Sequence, residues 1–246
     1  MTLMQKTKNA EKKADNLVEQ MFEAGAHYGY SKTRRHPSVS PYIYATKNNG
    51  DIIDLEKTVL LLDTAKEFIK ELGAKGKTVL FVGTKPEAKV MMKNTAEALS
   101  MPYVTERWIG GTLSNYVEIK KRITELENYR KDSAGGGLEK YTKKERGVMA
   151  KKMEKLSVYY SGLVGLKKIP DALFIIDARS ENIAATEARK LGVPVIALVN
   201  SDSNIKQIDY PIVGNDSGMP SIKLFVDSIS NAYKSGIVST PPTETK

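Results

Sequence analysis

The chain has 246 residues, of which 41% are hydrophobic and 27% charged, ordinary values for a protein that buries a hydrophobic core. It contains no cysteine and two histidines, which excludes disulfides, thiolate nucleophiles and zinc sites built on Cys or on several His. No apolar run approaches the roughly 20 residues of a membrane-spanning helix, and the first residues lack the apolar core of a signal peptide. We therefore expect a cytoplasmic protein.

The net charge of +9 is distributed unevenly along the chain. Residues 1–47 carry a net charge of +4 and residues 117–168 carry +7, whereas the rest of the chain sums to −2. Two basic segments attached to a near-neutral body indicate a polyanionic partner, of which nucleic acid is the usual kind. The alternative is that both segments are solvated charged surfaces without a partner.

Short apolar runs predict the strands. The candidates are residues 52–53, 78–82, 103–104, 172–176 and 193–199, the first and third of them weaker. Nearly continuous apolar runs are typical of strands that are buried on both faces of a parallel sheet.

Helical periodicity lies between these strands. Helices are predicted over residues 55–72, 86–99, 181–191 and 219–235. Asp54 is the expected N-cap of the first helix and Gly73 its stop, while Pro86 suits a first helical position. This order of elements predicts an α/β fold with a doubly wound, mainly parallel sheet of the Rossmann or flavodoxin type.

Residues 112–165 interrupt the alternation of strands and helices. Two series of apolar residues there are spaced three and four apart: Tyr116, Ile119, Ile123 and Leu126, then Met149, Met153, Leu156, Tyr160 and Leu163. Such narrow seams pair helices side by side, and a Gly-rich tip at 135–137 and a capping-box sequence at 142–145 separate them. We predict an inserted α-helical coiled-coil hairpin whose outer faces carry the +7 charge.

The chain is accordingly divided into a globular domain, an insertion and two tails. The α/β domain is expected over residues 17–111 and 166–236, with the coiled-coil hairpin at 112–165 inserted into it. Flexible tails are expected at residues 1–16 and 237–246.

One partial match to a phosphate-binding loop is rejected because of the residues and elements around it. Gly76, Lys77 and Thr78 contain the Gly-Lys-Thr of such a loop, but Glu71 stands where a further glycine is required. A helix precedes the match and a strand follows it, which reverses the order that brings helix N-terminal amides to a phosphate.

The loops after two buried strands are the remaining candidates for catalysis. Residues 83–85 and 177–180 lie where α/β enzymes place their sites, but neither loop supplies a nucleophile and a base. Asp202, Asp209 and Asp216 could hold a hard cation, although solvated loop acids are the simpler interpretation. We predict no catalytic activity, no cofactor and no metal.

The N-terminal basic segment, residues 21–47, combines cations with aromatic rings. Lys32, Arg34, Arg35 and Lys47 are candidate phosphate partners, with His36 beside them. Its tyrosines could stack on bases or riboses, or could equally be core anchors of a strand; they are Tyr28, Tyr30, Tyr42 and Tyr44. Two prolines, Pro37 and Pro41, are expected to keep the segment extended.

A series of motifs in this chain resembles the bacterial-type small-subunit ribosomal protein S2 family. They are AGAHYG from Ala24, PYIY from Pro41, IDLEKT from Ile53, VLFVGTK from Val79, RWIGGTLSNY from Arg107, PDALFIID from Pro170, EARKLGVP from Glu187 and GND from Gly214. In order and spacing they cover about residues 17–235. The chain departs from the family's usual residues at Tyr30, His36, residues 200–202 and residues 217–218.

The resemblance implies a structural protein of the small ribosomal subunit that binds ribosomal RNA and supports translation. A family member would be an α/β domain with an inserted coiled-coil hairpin, docked between head and body of the subunit on its solvent side. Its other partners would be neighbouring ribosomal proteins, with protein S1 as a further candidate. The hairpin favours the bacterial or organellar type, because the archaeal and eukaryotic cytosolic relatives lack a comparable insertion.

The expected RNA contacts lie in the two basic segments. The N-terminal ones are Lys32, Arg34, Arg35, His36 and Lys47, and those of the hairpin and its base are Arg107, Lys120, Lys121, Arg122, Lys143, Lys144 and Arg146. Trp108 is expected to pack at the base of the hairpin rather than stack on RNA. Two alternatives remain open: an α/β enzyme for a phosphosugar or nucleotide, and a hairpin that docks proteins.

Overall fold

The computed structural model describes residues 16–138 and 141–239. Its strands are β1 Tyr28–Ser31, β2 Ile43–Lys47, β3 Gly50–Ile53, β4 Val79–Val82, β5 Tyr103–Val104, β6 Ala172–Ile176, β7 Val195–Val199 and β8 Tyr210–Val213. Its helices are α1 at residues 16–23, α2 Leu55–Ala74, α3 Pro86–Ala98, α4 Tyr116–Ala134, α5 Lys143–Tyr160, α6 Asn182–Lys190 and α7 Met219–Ser239. Short 3-10 helices lie at Lys32–Arg34, Pro37–Tyr42, Ser161–Leu163 and Ile205–Gln207.

Five strands form a parallel sheet in the order β5-β4-β6-β7-β8. Every residue of β4, β6 and β7 is buried, because helices cover both faces of the sheet. The strand order is that of flavodoxin-like sheets, in which the order reverses beside the first strand. The predicted α/β sheet is therefore confirmed.

The two faces of the sheet carry separate hydrophobic cores. On one face α2, α3 and α7 pack on alternate strand residues such as Phe81 and Phe174, whose rings meet edge to face at 5.7 Å. On the other face α4, α5 and α6 pack with residues such as Leu80 and Ile175. Alternation of side chains along each strand thus divides one apolar run between two cores.

Helices α2 and α7 cross at glycines. A Cβ atom added to Gly73 would lie 2.3 Å from the carbonyl oxygen of Tyr233, and one added to Gly236 would lie 2.1 Å from that of Lys70. The prediction that Gly73 stops α2 is wrong, because the helix continues to Ala74 and Gly73 serves the close approach instead. The predicted N-cap is confirmed, since the Asp54 carboxylate accepts from the Lys57 amide.

The N-terminal basic segment forms a second sheet. Strands β1, β3 and β2 pair antiparallel in that order, so Ile52 and Ile53 belong to this small sheet rather than to the parallel one. The expectation that the prolines keep the segment extended is wrong for Pro37–Tyr42, which is a 3-10 helix. His36 caps this helix by accepting from the Ser38 amide, and Pro37 begins it because its fixed φ is helical.

Helices α4 and α5 occupy the interruption in the strand–helix alternation. Ile119, Ile123 and Leu126 of α4 are buried, as are Met153 and Tyr160 of α5. Both hydrogen bonds of the capping box between Thr142 and Glu145 are present. The last helix, α7, runs to Ser239, beyond the end expected at about residue 235. Among the described residues, no helix is both long enough and apolar enough to cross a membrane.

The glycine crossing predicts that Gly236→Ala destabilises the protein. The new methyl group would overlap the Lys70 carbonyl and push α7 from α2, at a cost of about 1–3 kcal/mol. The measurement is the free energy of unfolding in urea.

The matched control is Gly147→Ala on α5, where an added Cβ meets nothing within 4 Å. This change should be neutral or stabilise the helix by up to about 1 kcal/mol. Equal unfolding free energies for the two variants would show that the crossing tolerates a side chain.

Candidate nucleic-acid interface

An ion trio fills the crevice at the carboxyl edge of the parallel sheet. The strand order reverses between β4 and β6, and doubly wound proteins usually bind ligands outside that point. Here the Lys85 ammonium, which follows β4, lies 2.7 Å from the carboxylate of Asp177 and 2.9 Å from that of Asp216. Asp177 follows β6 and Asp216 follows β8, so one side chain joins the ends of three strands.

Burial makes these charges depend on one another. Burial opposes ionisation of Lys85, but the charge of Asp216 and the hydrogen bond with Asp177 outweigh it and raise the pKa of the ammonium. Burial would raise the pKa of Asp177, yet Lys85 and the Ser180 hydroxyl hold it below its ordinary value. The pKa of the fully buried Asp216 is raised by burial, with Lys85 acting in the opposite sense.

The N-terminal segment covers this crevice. The Tyr30 hydroxyl lies 3.4 Å from the Lys85 ammonium and 2.8 Å from the Ser217 hydroxyl. The Ser201 hydroxyl accepts from the Tyr30 amide at 3.0 Å, and the Ser201 carbonyl accepts from the His36 amide at 2.8 Å. The edge at which related folds admit a small ligand is therefore occupied by the chain's own residues.

The three candidate cation ligands are separated in the structure. Asp216 belongs to the ion trio, and the Asp202 carboxylate lies 2.7 Å from Arg179 and 3.7 Å from Arg34. Asp209 lies at the opposite edge of the sheet, where it accepts from the amide of Val195. The interpretation as solvated loop acids is wrong for Asp202 and Asp216, whose side chains are 5% and 0% exposed.

Two of the predicted N-terminal RNA contacts face inward. The Arg35 guanidinium forms a two-pronged ion pair with the buried carboxylate of Asp51 and donates to the Thr46 hydroxyl at 2.6 Å. This ion pair lowers the pKa of Asp51. The Nδ1 atom of the half-buried His36 ring accepts from the Ser38 amide at 3.2 Å and lies 2.8 Å from the Ser38 hydroxyl. Both residues hold the shape of the segment.

The other cations of the segment face solvent. Lys32 and Lys47 are exposed, with no ion pair to a described residue. The Arg34 guanidinium lies 4.6 Å from the centre of the Tyr30 ring, and its side chain is 55% exposed. Stacking on Tyr30 keeps that positive charge beside the crevice while leaving it accessible.

An aromatic groove of about 630 Å³ lies beside Lys47. Phe22 stacks on His27 with ring centres 4.4 Å apart, and the tilted ring of Tyr28 has its centre 4.1 Å from that of His27. Tyr28 is 61% exposed and Tyr44 78% exposed. Of the four tyrosines considered for stacking, these two present open ring faces, whereas Tyr30 is covered by Arg34 and Tyr42 packs on the core.

The hairpin's cations differ in their pairing. Lys121 is bound to Glu118 at 2.6 Å and Arg122 to Glu125 at 3.4 Å, both on the same helix. The remaining predicted contacts are exposed and form no ion pair with any described residue: Arg107, Lys120, Lys143, Lys144 and Arg146.

Glu187 of α6 organises the loop that precedes α4. One of its carboxylate oxygens accepts from the Gly111 amide at 2.6 Å and from the Trp108 indole at 3.5 Å. The other oxygen accepts from the amides of Leu113 and Ser114. Burial would raise the pKa of Glu187, but these donors lower it overall. Trp108 is 5% exposed, so its predicted place in the core is confirmed.

Comparison with known proteins identifies the family. Residues 21–236 match the family model described as Ribosomal protein S2. The chain belongs to this family. It is 40% identical over 219 residues to the small ribosomal subunit protein uS2 of Wolinella succinogenes, an alignment that covers 89% of this chain and 81% of the relative. The family consists of ribosomal structural proteins rather than enzymes, so the phosphosugar or nucleotide enzyme is excluded as an alternative.

The S2 structure also contains organising residues that the sequence analysis missed. Asp51 and Glu187 were not singled out, and Lys85 and Asp216 were considered separately rather than as partners. Lys85, Asp177 and Asp216 could have been connected, because the carboxyl ends of neighbouring parallel strands meet at one edge. Nothing local marks Glu187 as the acceptor for a loop more than 70 residues earlier in the chain.

Removal of the shared cation should destabilise this S2 protein. Lys85→Met leaves two buried carboxylates without a counter-charge, which costs about 3–5 kcal/mol at pH 7. Without Lys85, burial raises the pKa of both carboxyls, so the folded variant binds protons more readily than its unfolded chain. The stability deficit should therefore be smaller at pH 5 than at pH 7 in urea unfolding.

The control is Lys89→Met, which breaks the exposed ion pair with Glu106 and should cost no more than about 1 kcal/mol. A Lys85 variant as stable as the Lys89 variant, or a deficit independent of pH, would contradict the proposed dependence of Asp177 and Asp216 on Lys85.

Loss of the Glu187 charge should loosen the hairpin base. Glu187→Gln turns an amide donor toward backbone donors, leaving some of them unpaired at a cost of about 1–3 kcal/mol. Hydrogen exchange should accelerate at residues 111–116 more than in β6 and β7. Glu154→Gln, an exposed carboxylate of α5, is the control and should leave exchange unchanged; equal protection in both variants would refute the anchoring role.

Proposed function

We propose that this chain binds ribosomal RNA through its N-terminal basic segment and its hairpin, as a structural constituent of the small ribosomal subunit. Membership of the ribosomal protein S2 family implies the structural role in translation and the association with ribosomes. The observation that supports the two contact regions is that most of their predicted RNA-binding cations are exposed, and that all of these except Arg34, Lys121 and Arg122 form no ion pair with a described residue.

The two regions contribute differently to the proposed contact. The N-terminal segment offers Lys32, Arg34 and Lys47 together with the open faces of Tyr28 and Tyr44, a combination suited to phosphates and to unstacked bases. Phosphate contacts fix position without reading sequence. We therefore expect recognition of folded RNA mainly by shape, with any base contact confined to the aromatic groove.

The hairpin is proposed to act as a coiled-coil arm of residues 112–165 that extends the contact from the globular domain. Its apolar seam is closed between α4 and α5, and the carboxylate of Glu187 fixes the loop from which it leaves. Neighbouring small-subunit proteins are further partners that this role implies, and protein S1 is a candidate among them. The proposed location is cytoplasmic, on the ribosome.

Association with the subunit is the direct test. The full chain should cosediment with small ribosomal subunits of its source cells in near-stoichiometric amount at moderate salt. It should be released near ~1 M salt, because phosphate contacts are screened there. Absence from subunits and from their assembly intermediates would refute the role.

Substitution of the exposed N-terminal cations tests the RNA contact itself. Lys32→Gln, Arg34→Gln and Lys47→Gln in one chain should weaken binding to small-subunit RNA. The slope of log affinity against log salt should flatten by about 2–3, since each lost phosphate contact removes roughly 0.7–0.9. Arg35 is left intact because Asp51 requires it.

The matched control removes three lysines of α2 and its C-terminal cap, by Lys66→Gln, Lys70→Gln and Lys75→Gln. It lowers the net charge equally but should leave the salt slope unchanged. Equal losses in the two variants would mean that net charge, rather than the N-terminal surface, determines binding.

A further inference from the structure

The outward face of α5 carries a line of lysines. An α-helix turns about 100° per residue, so positions 7 and 11 residues apart fall within about 40° of one another around the axis. Lys144, Lys151 and Lys155 have this spacing and are all exposed. The line extends over roughly 16 Å at 1.5 Å per residue. By the same geometry it lies on the side of α5 opposite the buried Met153.

No carboxylate interrupts this face. Val148 and Val158 flank the line within about 40° and are 64% and 49% exposed. None of the three lysines forms an ion pair with a described residue, whereas the neighbouring Lys152 turns toward α4 and binds Glu125 there. The lysines therefore keep their full charge for a partner outside the chain.

The outward face of α4 has the opposite character. Opposite its buried seam lie Lys121 and Asp132, with Glu118 and Glu125 on one flank of this face and Lys131 on the other. Lys121 is already paired with Glu118, and Glu125 holds both Arg122 and Lys152. Acidic and basic residues are therefore mixed around the outer surface of α4, whereas the line on α5 carries lysines without a carboxylate.

We propose that the hairpin contacts the phosphate backbone of RNA through the outward face of α5, and that the outward face of α4 takes no part. This inference rests on the proposed function and adds which helix face of the hairpin makes the contact. It also adds Lys151 and Lys155 to the interface and removes Lys120, Lys121 and Arg122 from it. Lysines are compact, mobile point charges that suit phosphates at varied positions.

A protein partner fits this face less well than RNA does. Protein interfaces bury an apolar core, and lysine is depleted in them. Here the apolar residues between the lysines are two valines, and Tyr159 beside them is 38% exposed. A line of lysines that form no ion pair with a described residue matches a continuous polyanion.

The experiment compares two triple variants of the full chain that remove equal charge. One carries Lys144→Gln, Lys151→Gln and Lys155→Gln, and the other carries Lys120→Gln, Lys121→Gln and Arg122→Gln. The probes are the naked small-subunit RNA and small subunits from which this protein has been stripped. Glutamine preserves helix propensity, and unchanged circular dichroism and melting temperature would verify that each variant is folded.

The α5 variant should lose about tenfold or more in affinity for both probes near physiological salt, and its salt slope should flatten by about 2–3. The α4 variant should change less than about twofold. Replacing the same α5 lysines with arginine keeps the charge and should restore binding.

Three results would overturn the proposal. Equal or greater loss in the α4 variant would show that the contact is not confined to α5. Loss on stripped subunits with unchanged binding to naked RNA would assign the face to a protein. No loss in either variant would remove the hairpin from the RNA interface, while the N-terminal variant described above would still report separately on RNA binding by the rest of the chain.

Discussion

A single buried ammonium group holds together the edge of this protein at which three strands end. Lys85 lies 2.7 Å from the carboxylate of Asp177 and 2.9 Å from that of Asp216, and the proximity of these two acidic groups raises the pKa of its ammonium despite burial. The same group lies beneath Tyr30, so the N-terminal sheet rests on the trio. Desolvation offsets much of the attraction within such a buried ion group, but removing the cation leaves two carboxylates without compensation.

This arrangement explains how a fold that commonly serves enzymes can serve as a ribosomal scaffold. The crevice at the strand reversal is filled by the ion trio and covered by β1, with Ser201 joined to the backbone of Tyr30 and of His36. What remains accessible lies on the outside: the cations of the N-terminal segment, the aromatic groove beside Lys47, and the outer faces of the hairpin. The surfaces proposed to bind RNA are therefore outside the filled crevice, on segments that the sheet positions.

Charge within the hairpin is arranged by helix geometry rather than by composition. Residues 117–168 carry a net charge of +7. On α4, however, Lys121 and Arg122 are paired with glutamates of the same helix. The unpaired lysines of α5 face away from the seam. The Glu187 carboxylate accepts hydrogen bonds from three backbone amides and from the Trp108 indole in the loop before α4. These bonds fix the point at which the proposed contact surface joins the globular domain.

The sequence by itself determined the α/β class, the bounds of most helices and strands, the Asp54 cap and the core position of Trp108. Each depends on local periodicity, capping chemistry or burial of a large apolar side chain. Only the tertiary structure decided that Gly73 allows α7 to pack closely on α2, that Arg35 pairs with Asp51, and that Lys85 pairs with two aspartates. Residues that are distant in the chain are brought together by the path of the backbone. No local sequence pattern shows which buried charge pairs with which counter-ion.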